Sequence, residues 1–348
     1  MNELLKAYRF MAPRTIPVRF GLNQGCWSCY DPKELLDVLC RHPAVTGDPE
    51  ALKRQAAHPS VAPWRRKGEY VDSWGVRWHI HQEGLTGIVH NPPLENWDCF
   101  ENFTPPSYKT QNGWGPQDWT AFEKNVKAAK AAGKPVIASL RHGHCFLTLT
   151  YLRGFENTIY DMADEEPRLY ALLDMIRQFD LDFVNKILSY PEVEIVNFPE
   201  DLGAQKGPMI SPAMFRQYIK PEYAAIMRPV KEAGKLVYMH SDGDILSLVD
   251  DLLECGVDVV NLQDRVNGID SIEKHLKGRV AIDLDIDRQT VVPFGTPGDI
   301  DDLIREAVCK LSDPRGGLSL THELYPNVPL ENIEALLSAL ERYCLFRT

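Results

Sequence analysis

Residues 235–262 read KLVYMHSDGDILSLVDDLLECGVDVVNL. Four apolar residues, 236–239, run into His240, Ser241, Asp242, Gly243 and Asp244. The next stretch, DILSLVDDLLECG, spaces its apolar residues as a helix does and stops at a glycine. VDVVNL then reads as a second strand. Strand, helix, strand is the unit from which parallel sheets are built, because a parallel return needs a crossover.

The same alternation extends in both directions. Downstream come helix IDSIEKHLKG, strand RVAIDL, helix TPGDIDDLIREAVCKL, strand GGLSLTH and helix PLENIEALLSALERYCL. Upstream lie helix WTAFEKNVKAAKAAG, strand KPVIASL, a helix near residues 166–188, strand VEIVNF and helix SPAMFRQYIKPEYAAIMRPVKEAG. In the last of these, Ser211 caps, Pro212 takes the first helical position, and Pro221 and Pro229 kink or divide the helix. The strands read as unbroken apolar runs, which implies a parallel sheet covered on both faces. With IPVRFGL near the N-terminus the count reaches about seven, and an eighth strand between Cys40 and Trp119 would close a (β/α)8 TIM barrel. A doubly wound open sheet would show a glycine-rich phosphate turn after its first strand, and none is present. We therefore expect one barrel over residues 1–348, with residues 61–115, rich in Pro, Trp and Gly, as an inserted hairpin-and-loop excursion.

Composition narrows the function classes. The 348 residues carry a net charge of −11, which argues against nucleic acid or an anionic membrane as partner. No apolar run has membrane-spanning length and the N-terminus lacks a signal-peptide core, so a cytoplasmic protein is expected. Eight scattered cysteines are then free thiols.

The strands end in polar residues: Asn23 and Gln24, Arg141 and His142, Glu200 and Asp201, His240 and Asp242, Asn261 and Gln263, Asp283 and Asp285, His322 and Glu323. Barrel strands bring their C-terminal ends to one mouth, where chemistry sits. Solvation alone also places polar residues at strand ends; seven such ends together favour a functional mouth.

At HSDGDILSLVDDLLECGVDVVNLQD, GTPGDIDDLIREAV and YPNVPLENIEALL the chain resembles the uroporphyrinogen decarboxylase superfamily. EDLGAQKGPMISPAMFRQYIKPEY and YVDSWGVRW extend the resemblance from about Tyr70 to the C-terminus. It implies a (β/α)8 barrel, commonly dimeric, and one of two chemistries: tetrapyrrole decarboxylation, or methyl transfer to or from a corrinoid at a zinc site. The decarboxylases carry an arginine-rich segment after the first strand; RFGLNQGCWSCYDP has only Arg19. A substrate with many carboxylates needs several clamping cations. The methyltransferase branch carries His-x-Cys after a mid-barrel strand and a later Cys before Pro-x-Glu-Asn. Here His240-x-Asp242 takes the first place, and His322, seven residues before Pro329, the second. Two imidazoles and a carboxylate form a recognised catalytic zinc set. Lacking thiolates, it leaves the metal a stronger Lewis acid, suited to polarising oxygen. The resemblance therefore implies Zn2+ held by His240, Asp242 and His322. The methyl donor would be a small methyl ether or methoxylated compound, and the acceptor a corrinoid (cobalamin) on a partner protein.

Glu200 and Asp201 are candidates for a further ligand, a positioning partner or an acid/base pair, against helix capping as the plain alternative. Glu323 ranks below His322, since neighbours on a strand face opposite ways. Arg141 and His142, in RHGHC, could hold an anion or a substrate oxygen at the mouth, or form a surface loop. Cys26 and Cys29, in CWSC, could face the mouth as a redox or metal-binding pair, although thioredoxin-like motifs need a different setting and a structural zinc a second pair. Trp74, Trp78, His79 and His81 divide between core and an apolar pocket. Asp283 and Asp285 are expected at the mouth without a role. Two other readings stand beside methyl transfer. One is a metal-free decarboxylase of a small or tetrapyrrole acid. The other is a non-catalytic ligand-binding relative, in which His240, Asp242 and His322 would not meet.

Overall fold

A computed structural model describes residues 2–345. Its main sheet has seven parallel strands: β1 (Val18–Leu22), β5 (Ile137–Ser139), β6 (Ile195–Asp201), β9 (Leu236–Asp242), β10 (Val259–Gln263), β11 (Ala281–Asp285) and β12 (Leu318–Leu324). Their order is β1-β12-β11-β10-β9-β6-β5, with helices between successive strands, the arrangement of a TIM-barrel-like fold. The chain also forms an antiparallel sheet of β2 (Gly68–Val71), β3 (Arg77–Ile80) and β4 (Ile88–His90), and a two-residue ribbon of β7 (Gly203–Ala204) with β8 (Gly207–Pro208).

The expected eighth barrel strand does not form among the described residues. Residues 41–118 instead build helices, the β2–β3–β4 sheet and a 3-10 turn over Trp97–Asn102. This excursion reaches both edges of the main sheet. Asn23, after β1, donates from Nδ2 to the Gly84 carbonyl at 3.1 Å. Arg141, after β5, donates from Nη1 to the Gly113 carbonyl at 2.9 Å and pairs with Asp72 at 3.3 Å. The Arg141–Asp72 pair is buried, and the guanidinium lies 4.5 Å from the centre of the Trp114 ring. A buried pair of this kind is costly to break, since either partner alone is an uncompensated charge.

The strands do alternate, contrary to the unbroken apolar pattern expected of them. Val18, Phe20 and Leu22 pack against the core under the helices, while Arg19 turns to the barrel interior. Val237 and Met239 of β9 face outward, and Tyr238, His240 and Asp242 inward. The physical reason is a polar interior. Arg19 bonds Asp283 and the Tyr238 hydroxyl, each at 2.9 Å, and Tyr238 donates to Asp283 at 2.6 Å. Ser319 bonds Asp283 as well, so the buried carboxylate is fully partnered. Below this layer the N-terminal helix Glu3–Tyr8 plugs the base with Leu4, Leu5, Ala7 and Tyr8 against Ile195, Leu236, Val259 and Ala281.

The helices follow their capping residues. Asp118 caps Trp119–Ala131, and Thr296 with Asp299 forms a capping box on Pro297–Leu311. The proline-bearing segment is divided just before Pro221, as expected, whereas Pro229 lies inside the helix Lys220–Glu232 and does not divide it. Ser211 caps Pro212–Met214, a π-type turn spans Phe215–Ile219, and Pro221 sits in the first turn of Lys220–Glu232, where no N–H is needed. No helix among the described residues is long and apolar enough to cross a membrane.

Candidate active site

A cavity of about 320 Å³ opens at the C-terminal ends of the parallel strands. Its lining includes His142, Asp201, His240, Asp242, Arg288 and Glu323. β9 ends here in a sharp turn. Gly243 has φ +78° and lies against Gly203, where a Cβ would come within 2.1 Å of the carbonyl carbon. Only glycine permits that approach. The turn lets β9 end with two polar side chains, His240 and Asp242, facing the cavity.

The protonation of His240 follows from its neighbours. Asn261 donates from Nδ2 to the Asp283 carbonyl at 2.7 Å, so its Oδ1 must face the other way. That oxygen lies 2.5 Å from His240 Nδ1 and can only accept, which places the proton on Nδ1. In the neutral ring this leaves the lone pair on His240 Nε2, which faces the cavity 3.7 Å from Asp201 Oδ1 and 3.6 Å from Asp242 Oδ1.

His142 reaches the same point from the segment after β5, with Nε2 at 3.4 Å from Asp201 Oδ1. Burial works against a charge on His142, but its contact with Asp201 and the field of nearby carboxylates hold its pKa above the usual histidine value. Burial likewise raises the Asp201 carboxyl, and is outweighed by His142 and His240, so Asp201 sits below the usual range. Asp242 is engaged elsewhere. Arg288 bonds it at 2.6 Å and Asp285 at 3.0 Å. Burial pushes the Asp285 carboxyl up despite that arginine.

The expected set of His240, Asp242 and His322 does not assemble. His322 has the parity of Leu318, Leu320 and Leu324, so its ring lies behind β12, where it is buried and stacks on Phe20 with centroids 6.3 Å apart. Its Nδ1 bonds the Ile286 carbonyl at 3.2 Å, and burial pushes its pKa down to about 4. Thr321 and Glu323 are the β12 residues that face the cavity. The spacing LSLTHEL carries that signal, since the leucines mark the outward side. Glu200 also faces outward. Its carboxylate accepts from the N–H groups of Cys145, Phe146 and Leu147 and from the Tyr223 hydroxyl, holding the start of helix Phe146–Arg153. Arg141 fastens the excursion rather than lining the cavity. The Cys26 thiol is buried, bonds the Leu324 carbonyl and is pushed up to about 12 by burial, which leaves no reactive thiolate. Trp74 and Trp78 are core, and His79 and His81 lie on the hairpin sheet. The sequence reading missed Arg65, Arg288 and Tyr325, which all reach the cavity. Arg288 stands three residues beyond Asp285 in DIDR, close enough to a strand end to have been noticed.

What converges instead is His142, Asp201 and His240, with one ligand atom of each within 4.8 Å of the others. The donor set fits a metal ion. Metal bonds near 2 Å put neighbouring ligand atoms roughly 3–4 Å apart, and the imidazole-to-carboxylate distances already lie there. The fixed tautomer aims the His240 lone pair at the site, as outer hydrogen bonds do for metal-ligating histidines.

Comparison with known proteins agrees with the fold. No curated protein matches the chain. A methyltransferase from Methanosarcina mazei superposes with a TM-score of 0.63 at 17% identity, covering 97% of this chain and 96% of its own. A B12-independent methionine synthase from Shewanella sp. W3-18-1 gives 0.40 at 11% identity, over 63% and 64% of the two chains. The family description of uroporphyrinogen decarboxylase (URO-D) matches residues 82–343, three quarters of the chain and six of the seven main-sheet strands. The chain belongs to the uroporphyrinogen decarboxylase (URO-D) family.

Proposed function

We propose that this protein is a zinc-dependent methyltransferase. It takes a methyl group from an oxygen of a small methoxylated compound and passes it to a corrinoid held on a partner protein. The observation that carries this reading is the meeting of His142, Asp201 and His240 at the open end of the barrel. When bound, zinc supplies a Lewis acid that draws charge from the substrate oxygen. The chain's own residues do the rest. Asn261 keeps the Nε2 lone pair of His240 aimed at the site. Arg288 holds Asp242 and Asp285, so the second carboxylate at the rim is neutralised. The substrate oxygen keeps the electron pair of the broken C–O bond. The base of the barrel is plugged by the N-terminal helix, so the acceptor approaches from the mouth.

The cavity is at the small end of the range for ligand pockets, which suits a small donor. Its arginines are already occupied: Arg19 by Asp283, Arg288 by Asp242 and Asp285, and Arg65 by Glu323 at 3.8 Å. That supports a donor without many carboxylates. Arg65, held most loosely of the three, is the one available to a single substrate carboxylate, which favours one alternative: decarboxylation of a small acid without metal.

The test is metal analysis of the purified chain with an O-demethylation assay, using reduced cobalamin as acceptor. One zinc per chain, lost with activity in His142→Ala, Asp201→Asn and His240→Ala, is the expected result. A metal-free protein that demethylates at full rate would sink the proposal. Release of carbon dioxide from small acids by chelator-treated protein would establish the alternative.

A further inference from the structure

Three histidines of the hairpin sheet take no part in the mouth. In β3 the alternation that buries Trp78 against Trp114 and Tyr151 turns Arg77, His79 and the following His81 to the opposite face. β3 pairs with β2 so that Glu69 stands across from His79. It pairs with β4 so that Arg77 stands across from His90, one diagonal step from His79. The rings confirm the register. His79 and His81 have centroids 4.5 Å apart, and His79 and His90 5.8 Å. Two imidazoles on one tetrahedral ion, with bonds near 2 Å, have ring centres about 5 Å apart, and the two observed spacings bracket that value. A cavity of about 400 Å³ beside them is lined by Glu69, Arg77, His79, His90 and Asn91. As they stand, no three ligand atoms of Glu69, His79, His81 and His90 lie within 4.8 Å of one another, so binding an ion here requires the exposed rings of His81 and His90 to turn toward His79.

We propose that Glu69, His79, His81 and His90 form a second metal site on the outer face of this sheet, taking a divalent transition metal such as Zn2+. Imidazole donors select ions of that class over Mg2+ or Ca2+. Small sheets of short strands are marginal by themselves. An ion held between β2, β3 and β4 would brace the sheet whose loops contact Asn23 and Arg141 at the barrel edges.

The site is independent of the mouth, and a titration separates the two. Full-length protein freed of metal is titrated with Zn2+ against a chromophoric chelator, in wild type, His240→Ala, His79→Ala and His79→Gln. Wild type is expected to take two equivalents. His240→Ala should lose one and keep the other, and both His79 variants should lose that other one. His81→Ala or His90→Ala should weaken it at least tenfold. If the mouth holds no zinc, wild type and His240→Ala each take one equivalent, still lost in the His79 variants. A second equivalent that persists in folded His79→Ala and His79→Gln, or no zinc bound by folded His240→Ala, would overturn the proposal.

Discussion

β9 and β12 end alike in sequence and differently in space. Each runs from apolar residues into a histidine with a carboxylate close behind: His240 with Asp242, and His322 with Glu323. His240 has the opposite parity to Val237 and Met239, and so faces the cavity. His322 shares the parity of Leu318, Leu320 and Leu324, and so lies under the helices. β6 repeats the contrast within one pair. Glu200 holds a helix start from behind the sheet, while Asp201 faces the mouth. The lesson is that strand-end chemistry depends on the side of the strand more than on the residue type.

Four measurements would break or sharpen this contrast. The largest effect is expected from His240→Ala. Loss of a positioning partner costs a metal site about 10- to 100-fold, so loss of the ligand itself should cost more than about 100-fold in O-demethylation. His322→Gln, by contrast, should keep zinc and turnover in whatever fraction is folded. Equal losses in the two variants would erase the distinction.

The second effect is on pH stability. His322 is held near pKa 4 when folded, against an ordinary value near 6.5, by burial and by Arg288, with the Ile286 carbonyl and Asp287 opposing. Between those values the unfolded chain binds more protons, so stability falls as pH drops from about 6.5 to about 4. The full loss is on the order of 3 kcal/mol. Urea unfolding of wild type across that window should show the slope, and His322→Gln should flatten it.

Next is Glu200→Gln, which removes the charge from an acceptor of three N–H groups and a tyrosine hydroxyl. We expect a loss of about 2–3 kcal/mol in urea unfolding with zinc content unchanged. A loss of zinc with normal stability would place Glu200 in the site after all. The smallest effect is that of Asn261→Leu, which frees the His240 ring. Zinc affinity should fall about tenfold by chelator competition while the fold is kept.

Much of the barrel was legible in the sequence because each strand and helix carries a local signal: an apolar run, a cap, a terminal glycine. The alternating order of strands and helices after Trp119 emerges as read. The eighth strand was not legible, because residues 41–118 close the sheet edges through single contacts such as Asn23 to Gly84 and Arg141 to Gly113, which leave no periodic trace. At the site, His142, Asp201 and His240 were all picked out as strand-end residues. Their grouping needed the order β5, β6, β9, which brings three strands of widely separated sequence side by side. Parity was available in LSLTHEL and was obscured by reading the strands as uniformly apolar. Arg65 arrives from the excursion, and nothing in its local sequence points to the mouth.

The sheet order has a consequence for how the molecule is made. Among the described residues β1 is paired in the main sheet with β12 alone, Val18 lying beside Leu320 and Leu22 beside Leu324. β1 is thus made about 300 residues before the strand it pairs with. Closing a loop of that length is slow, and the wait leaves an unpaired edge. Assembly can begin from β5 through β11, where each strand meets its neighbour soon after emerging, and β1 joins last, once β12 has been made.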